Sequence, residues 1–147
     1  KPSNQSKMKL YDKCRRELIR RIGIARPTAV IFRRINQIVV GWINYYRIGM
    51  MKIFMDNFGQ WLRHKIRVII LKQWKKPKRI YINLQKLNKK FSCHLTDEQI
   101  LSVANTRLGL YRQAYGYVIN FLLSPKVLAI KKKDRPGLVN PLNYYLS

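Results

Sequence analysis

The chain has 147 residues, 47% of them hydrophobic, and carries 31 Lys or Arg against 6 Asp or Glu, a formal charge of +25. That apolar content excludes a disordered polycation, and the length allows one domain or two small helical subdomains. The charge excludes a comfortable isolated surface and asks for a polyanion, for which nucleic acid is the usual partner.

Residues 1–6 read as an extended lead-in, with Ser6 as the N-cap of a first helix reaching about Ile22. Tyr11, Cys14, Leu18 and Ile22 recur at helical spacing and are expected to face a core. Lys9, Lys13, Arg16 and Arg20 recur on another face, a cationic stripe suited to phosphates, with Glu17 the one acid beside it. A break over residues 23–27 precedes a second helix from Pro27 or Thr28 through Tyr46. Its expected core stripe is Ile31, Ile35, Ile38, Val39, Trp42, Tyr45 and Tyr46, which assigns the aromatics of GWINYYR (residues 41–47) to packing rather than base stacking. Gly49 then reads as a turn.

A third helix is predicted over residues 51–74, with Phe54, Phe58, Trp61, Leu62, Ile66, Ile69 and Ile70 inward and Pro77 ending the segment. No acid lies between Asp56 and Asp97, whereas Arg63, Arg67, Lys72, Lys75, Lys76, Lys78 and Arg79 all fall in that interval. It is the electrostatic centre of the molecule. Lysines after Trp74 can neutralise the negative end of their own helix, but five cations exceed what a helix end needs, and phosphate binding is the favoured reading.

Residues 79–91 fit a helix or a strand, the helix being favoured. Thr96 followed by Asp97 and Glu98 starts a helix expected to reach about Tyr115. On it Arg107 and Arg112 read either as a second nucleic-acid contact or as a polar network between helices. Lys131, Lys132 and Lys133 read either as a phosphate contact or as a solvated turn. Ser124 and Asn140, each before a proline, start two short helices. The sum is an all-α chain.

Two distant cysteines, Cys14 and Cys93, argue against a disulfide framework and for a reducing compartment. His64, Cys93 and His94 make no recognised zinc set. The apolar run at residues 68–71 is too short to cross a bilayer, and no partner membrane is expected. A chain beginning at Lys1 without Met reads as a segment of something longer. Two-metal polymerase or nuclease chemistry needs clustered carboxylates. The only adjacent acids, Asp97 and Glu98, are better explained as a helix start, so no catalytic residue is assigned.

Several stretches then become familiar in order. INQIVVGWINYYR (residues 35–47) resembles the signature of the maturase-specific domain of group II intron reverse transcriptases, and WLRHKIRVIILKQWKKP (residues 61–77) resembles the segment that follows it. ANTRLGLYR (residues 104–112), GLVNPLNYYL (residues 137–146) and KPSNQSK (residues 1–7) look like that family's Arg-bearing helix, closing helix and passage from palm to thumb. Residues 88–95 match nothing where the family has its middle linker.

The resemblance implies a three-helix thumb bundle over residues 1–50 followed by a small helical maturase (X) domain over residues 51–147. It implies group II intron RNA as partner, and in the intact protein an RNA/DNA primer–template and an upstream reverse transcriptase domain. The family's Y-x-D-D polymerase motif has no counterpart here. No cofactor is therefore expected for this chain, with Mg2+ confined to the intact polymerase and the intron RNA. The reducing compartment, with the richness in Ile, Lys, Asn and Tyr of an AT-rich genome, gives the expectation of an intracellular setting, bacterial cytoplasm or organelle matrix. The competing expectation is a generic basic protein of ribosomal or chromatin type, which accounts for the charge but not for the ordered aromatic motifs.

Overall fold

The computed structural model describes residues 2–47, 49–105, 109, 113, 114 and 116–147, apart from the side chains of residues 20–22. Among the described residues the fold is all-α, with no strand. In chain order the helices are α1 (Asn4–Glu17), α2 (Arg20–Ala25), α3 (Thr28–Tyr46), α4 (Lys52–Trp74), α5 (Pro77–Lys90), α6 (Asp97–Ala104), α7 (Tyr117–Leu122), α8 (Pro125–Leu128) and α9 (Pro141–Leu146).

Local signals start most of these helices. Thr96 caps α6 in a reciprocal box with Gln99, and Ser124 and Asn140 cap α8 and α9 through the amides of Val127 and Asn143. Pro77 occupies the first turn of α5, and Lys76 before it is extended, as a residue preceding proline prefers. The cap of α1 is Ser3, three residues earlier than expected. Ser6 instead ties α1 to α3, because its carbonyl accepts from Trp42 Nε1 (3.2 Å) and its hydroxyl from Tyr46 (3.0 Å). The first helix also stops at Glu17 rather than near Ile22, and α2 follows as a separate turn. The helix expected to reach Tyr115 ends at Ala104.

α1 packs on α3, α2 and α9 pack on α4, and α5 joins α4, α6 and α7. The buried side chains form one cluster running from Leu10 to Leu138. Full burial of a large side chain such as Phe32 or Phe58 contributes about 1.5–3 kcal/mol. Tyr11 anchors the aromatic part, edge-on to Phe58 (5.0 Å) and Trp61 (4.8 Å) of α4. Both cysteines are free thiols, and burial, with the Glu17 carboxylate adding to it, pushes Cys14 up to about 12.

The inward seam of α3 differs from the expected one. It is Ile31, Phe32, Ile35, Val39 and Ile43, while Trp42 and Tyr46 are half-buried and Tyr45 is 80% exposed. The cause lies a hundred residues away. The Asn36 side chain donates to Gly137 O and accepts from Val139 N, both at 2.8 Å, so it pins the C-terminal segment along α3. Tyr144 donates to Asn44 (2.9 Å), Arg47 reaches Tyr144 O (3.3 Å), and Tyr145 bonds Gly49 O. The polar residues of GWINYYR thus hold α9 in place, and the helix flank beneath it becomes core.

Residues 88–95, unmatched in sequence, are the last turn of α5 and a loop that Asn88 closes. Asn88 donates its amide to Leu95 O (2.9 Å) and accepts from Leu95 N (3.0 Å), while Ser92 and His94 take positive φ.

Candidate nucleic-acid interface

The junction of α4 and α5 gathers most of the predicted cations. Lys75, Lys76, Lys78 and Arg79 are exposed and Lys72 is half-buried. The ion pairs found among the described residues involve Arg15 with Asp12, and Arg26 and Arg34 with Glu17; these five cations have none. The backbone makes the junction sharp. Lys76 N donates to Trp74 O at 2.8 Å across Lys75, whose φ of 64° and ψ of −72° are those of a γ-turn centre. A non-glycine residue there is strained, and strain of this kind collects at functional positions. Consecutive lysines are thereby splayed outward at a helix end where the backbone alone would leave a negative pole.

The predicted cationic stripe of α1 is exposed where it is described. Lys9, Lys13 and Arg16 are exposed on α1. Glu17 does not neutralise them, because its two carboxylate oxygens are taken by Arg26 (2.9 Å) and Arg34 (3.4 Å). The Arg20 side chain, Arg107 and Arg112 lie outside the described residues. Lys9 and Lys13 share a groove with Trp42, Tyr45 and Tyr46 of α3. The exposed Tyr45 ring, packed edge-on against Tyr46 at 4.8 Å, therefore stands at the rim of a basic groove rather than in the core.

Two of the predicted contact residues are less exposed than Lys75, Lys76 and Lys78. Arg67 is only 7% exposed; its Nε donates to Leu123 O and its Nη1 to Asn120 Oδ1, both at 2.8 Å. Burial first, and the Arg63 charge second, lower its pKa to about 10. This arginine joins α4 to α7 and offers no face to a phosphate. Arg63 is half-buried, its guanidinium lying over Gly59 beside the α4–α9 contact made by Pro141. Burial lowers its pKa, opposed by the charge of Asp56. It is a packing residue at the edge of the surface.

The sequence also conceals a second basic cluster. Lys86 and Lys90 of α5 line a cavity of about 390 Å³ together with Lys132 and Arg135 from the far end of the chain. The spacing of Lys86 and Lys90, one helical turn apart, is a local signal for their shared face. Nothing local relates them to Lys132.

No metal-ligating cluster of His, Cys, Asp or Glu occurs among the described residues, and no described helix is long and apolar enough to cross a membrane. Against this geometry, the family model of the group II intron, maturase-specific domain, matches residues 7–89, more than half of the chain. The matched span takes in most of α1, all of α2, α3 and α4, and α5 up to its last residue. No curated protein matches the chain.

Proposed function

The chain belongs to the family of group II intron maturase-specific domains, and from that premise we propose that it binds intron RNA through the α4–α5 junction and so assists splicing. The observation that carries this reading is the set of Lys72, Lys75, Lys76, Lys78 and Arg79 at one helix junction, within a 40-residue interval, 57–96, free of acids. Lysines act there as point charges and arginine as a planar fork, which suits recognition of folded RNA through its backbone and shape. Residues 1–50 form the thumb part of the intact polymerase, where Lys9, Lys13 and Arg16 face the primer–template. The upstream reverse transcriptase domain supplies the metal-dependent chemistry, and the present chain supplies grip. Its setting is the bacterial cytoplasm or an organelle matrix, wherever the intron is transcribed.

The test is a competition titration. Labelled folded group II intron RNA bound to the chain is challenged with unlabelled intron and with an unrelated structured RNA of equal length. At least tenfold stronger competition by the intron is expected. Equal competition would reduce the chain to a generic basic protein.

A further inference from the structure

The cavity between α4, α5, α8 and the turn at residues 132–135 has chemistry of its own. Its walls include Trp74, Asn83, Lys86, Lys90, Lys132 and Arg135, and among the described residues no acid lines it. Lys132 and Arg135 are set side by side by the turn: Lys132 N donates to Arg135 O (2.9 Å) and Arg135 N to Lys132 O (3.2 Å). Asp134, at the tip of that turn, does not line this cavity; it lines an adjoining groove with Arg33, to which Lys132 and Arg135 also contribute.

Lys132 and Arg135 are held where charge is unfavourable. Burial, then the charges of Arg135 and Lys90, push the Lys132 pKa down. Arg135 lies 4.6 Å above the Phe32 ring, and its Nε is buried with no hydrogen-bond partner among the described residues. Four cations around one concavity, two of them repelling Lys132, describe a site that an anion would relieve. The half-buried Trp74 adds an aromatic wall and Asn83 an amide. About 390 Å³ is near the lower end for a ligand pocket, far too small for a duplex and sufficient for one flexible unit.

We propose that this cavity receives a single unpaired nucleotide of the bound RNA, its phosphate on Lys90, Lys132 and Arg135 and its base against Trp74. The proposal rests on the RNA-binding reading above and adds a specific seat to it. Splayed nucleotides stacked on an aromatic wall are how folded RNA is read in detail, whereas lysines on a convex surface read only backbone.

The probe is folded group II intron RNA substituted with 4-thiouridine, photo-cross-linked to the full chain and mapped by mass spectrometry. A cross-link on the peptide bearing Trp74 is expected. In the double variant Lys90→Glu and Lys132→Glu, both at exposed positions, that cross-link should vanish and affinity fall about tenfold. A fully paired RNA hairpin should give no Trp74 cross-link. Intron binding with cross-links only elsewhere, or a Trp74 cross-link indifferent to the charge reversals, overturns the seat. A Trp74 cross-link on intron and unrelated RNA alike, without intron preference, keeps the seat and overturns intron specificity, so the two failures are distinguishable.

Discussion

Neutralising Lys75, Lys76 and Lys78 together by alanine is expected to weaken binding to folded intron RNA about a hundredfold at roughly 0.15 M salt. Each lysine on a phosphate releases ~0.7–0.9 counterion, so the slope of log K against log salt should flatten by about 2–3. The three side chains are exposed and free of ion pairs among the described residues, so little folding energy goes with them. The loss to α4 as a helix end is about 0.3–1 kcal/mol, visible as a small shift in a urea melt. Lys75→Gly separates the two effects further. Glycine relieves the φ of 64° and should stabilise the fold by about 1 kcal/mol, while affinity falls through loss of one cation. A salt slope unchanged in the triple variant would remove these lysines from the interface.

Gly137→Ala is expected to be the most damaging single methyl group in the molecule. A Cβ at that position would stand 1.9 Å from the backbone oxygen of Ala129, and no rotamer change can move either atom away. The neighbouring Leu138 N to Leu128 O bond (2.8 Å) holds the two segments at that separation, and both Asn36 hydrogen bonds fix residues 137–139 on α3. Overpacking of this kind costs about 3 kcal/mol or more, read as a lowered denaturant midpoint. Because the same segment carries Lys132 and Arg135, the Trp74 cross-link should be lost as well. Gly41→Ala is the contrasting case: its Cβ meets nothing within 4 Å, and alanine in the exposed interior of α3 should stabilise by about 0.5–1 kcal/mol. A Gly137→Ala protein as stable as the parent would refute the packing described for the C-terminal segment.

What could be read from sequence was what local chemistry decides. Proline at Pro77, the Thr96, Ser124 and Asn140 caps, and the ends of α3 and α4 follow from residues within one turn of each boundary, and the structure has them there. The Ser6 cap failed because Ser3 and Ser6 offer the same hydroxyl three residues apart, and only the position of Tyr46 and Trp42 decides between them. Tyr45 failed because helical periodicity gives a face but not its partner; α9 and the Gly137–Val139 contact rotate the buried seam of α3 toward Ile43. Arg67 looked like its exposed neighbours because a buried arginine differs from a surface one only through Leu123 O and Asn120, both more than fifty residues distant. The lysine run after Trp74 was legible because its members are adjacent in the chain. The cavity was not, because Lys90 and Lys132 meet only once the C-terminal turn is folded back.

The central claim is that RNA lies on the α4–α5 junction while the aromatic motif braces the fold. Lysine acylation of the chain alone and in complex with folded intron RNA, quantified residue by residue, tests it most directly. Lys75, Lys76 and Lys78 are expected to be strongly protected in the complex. Lys52, exposed at the other end of the 23-residue α4 and so roughly 35 Å away, should be acylated equally in both states. Protection of Lys52 with Lys75, Lys76 and Lys78 left reactive would contradict the account.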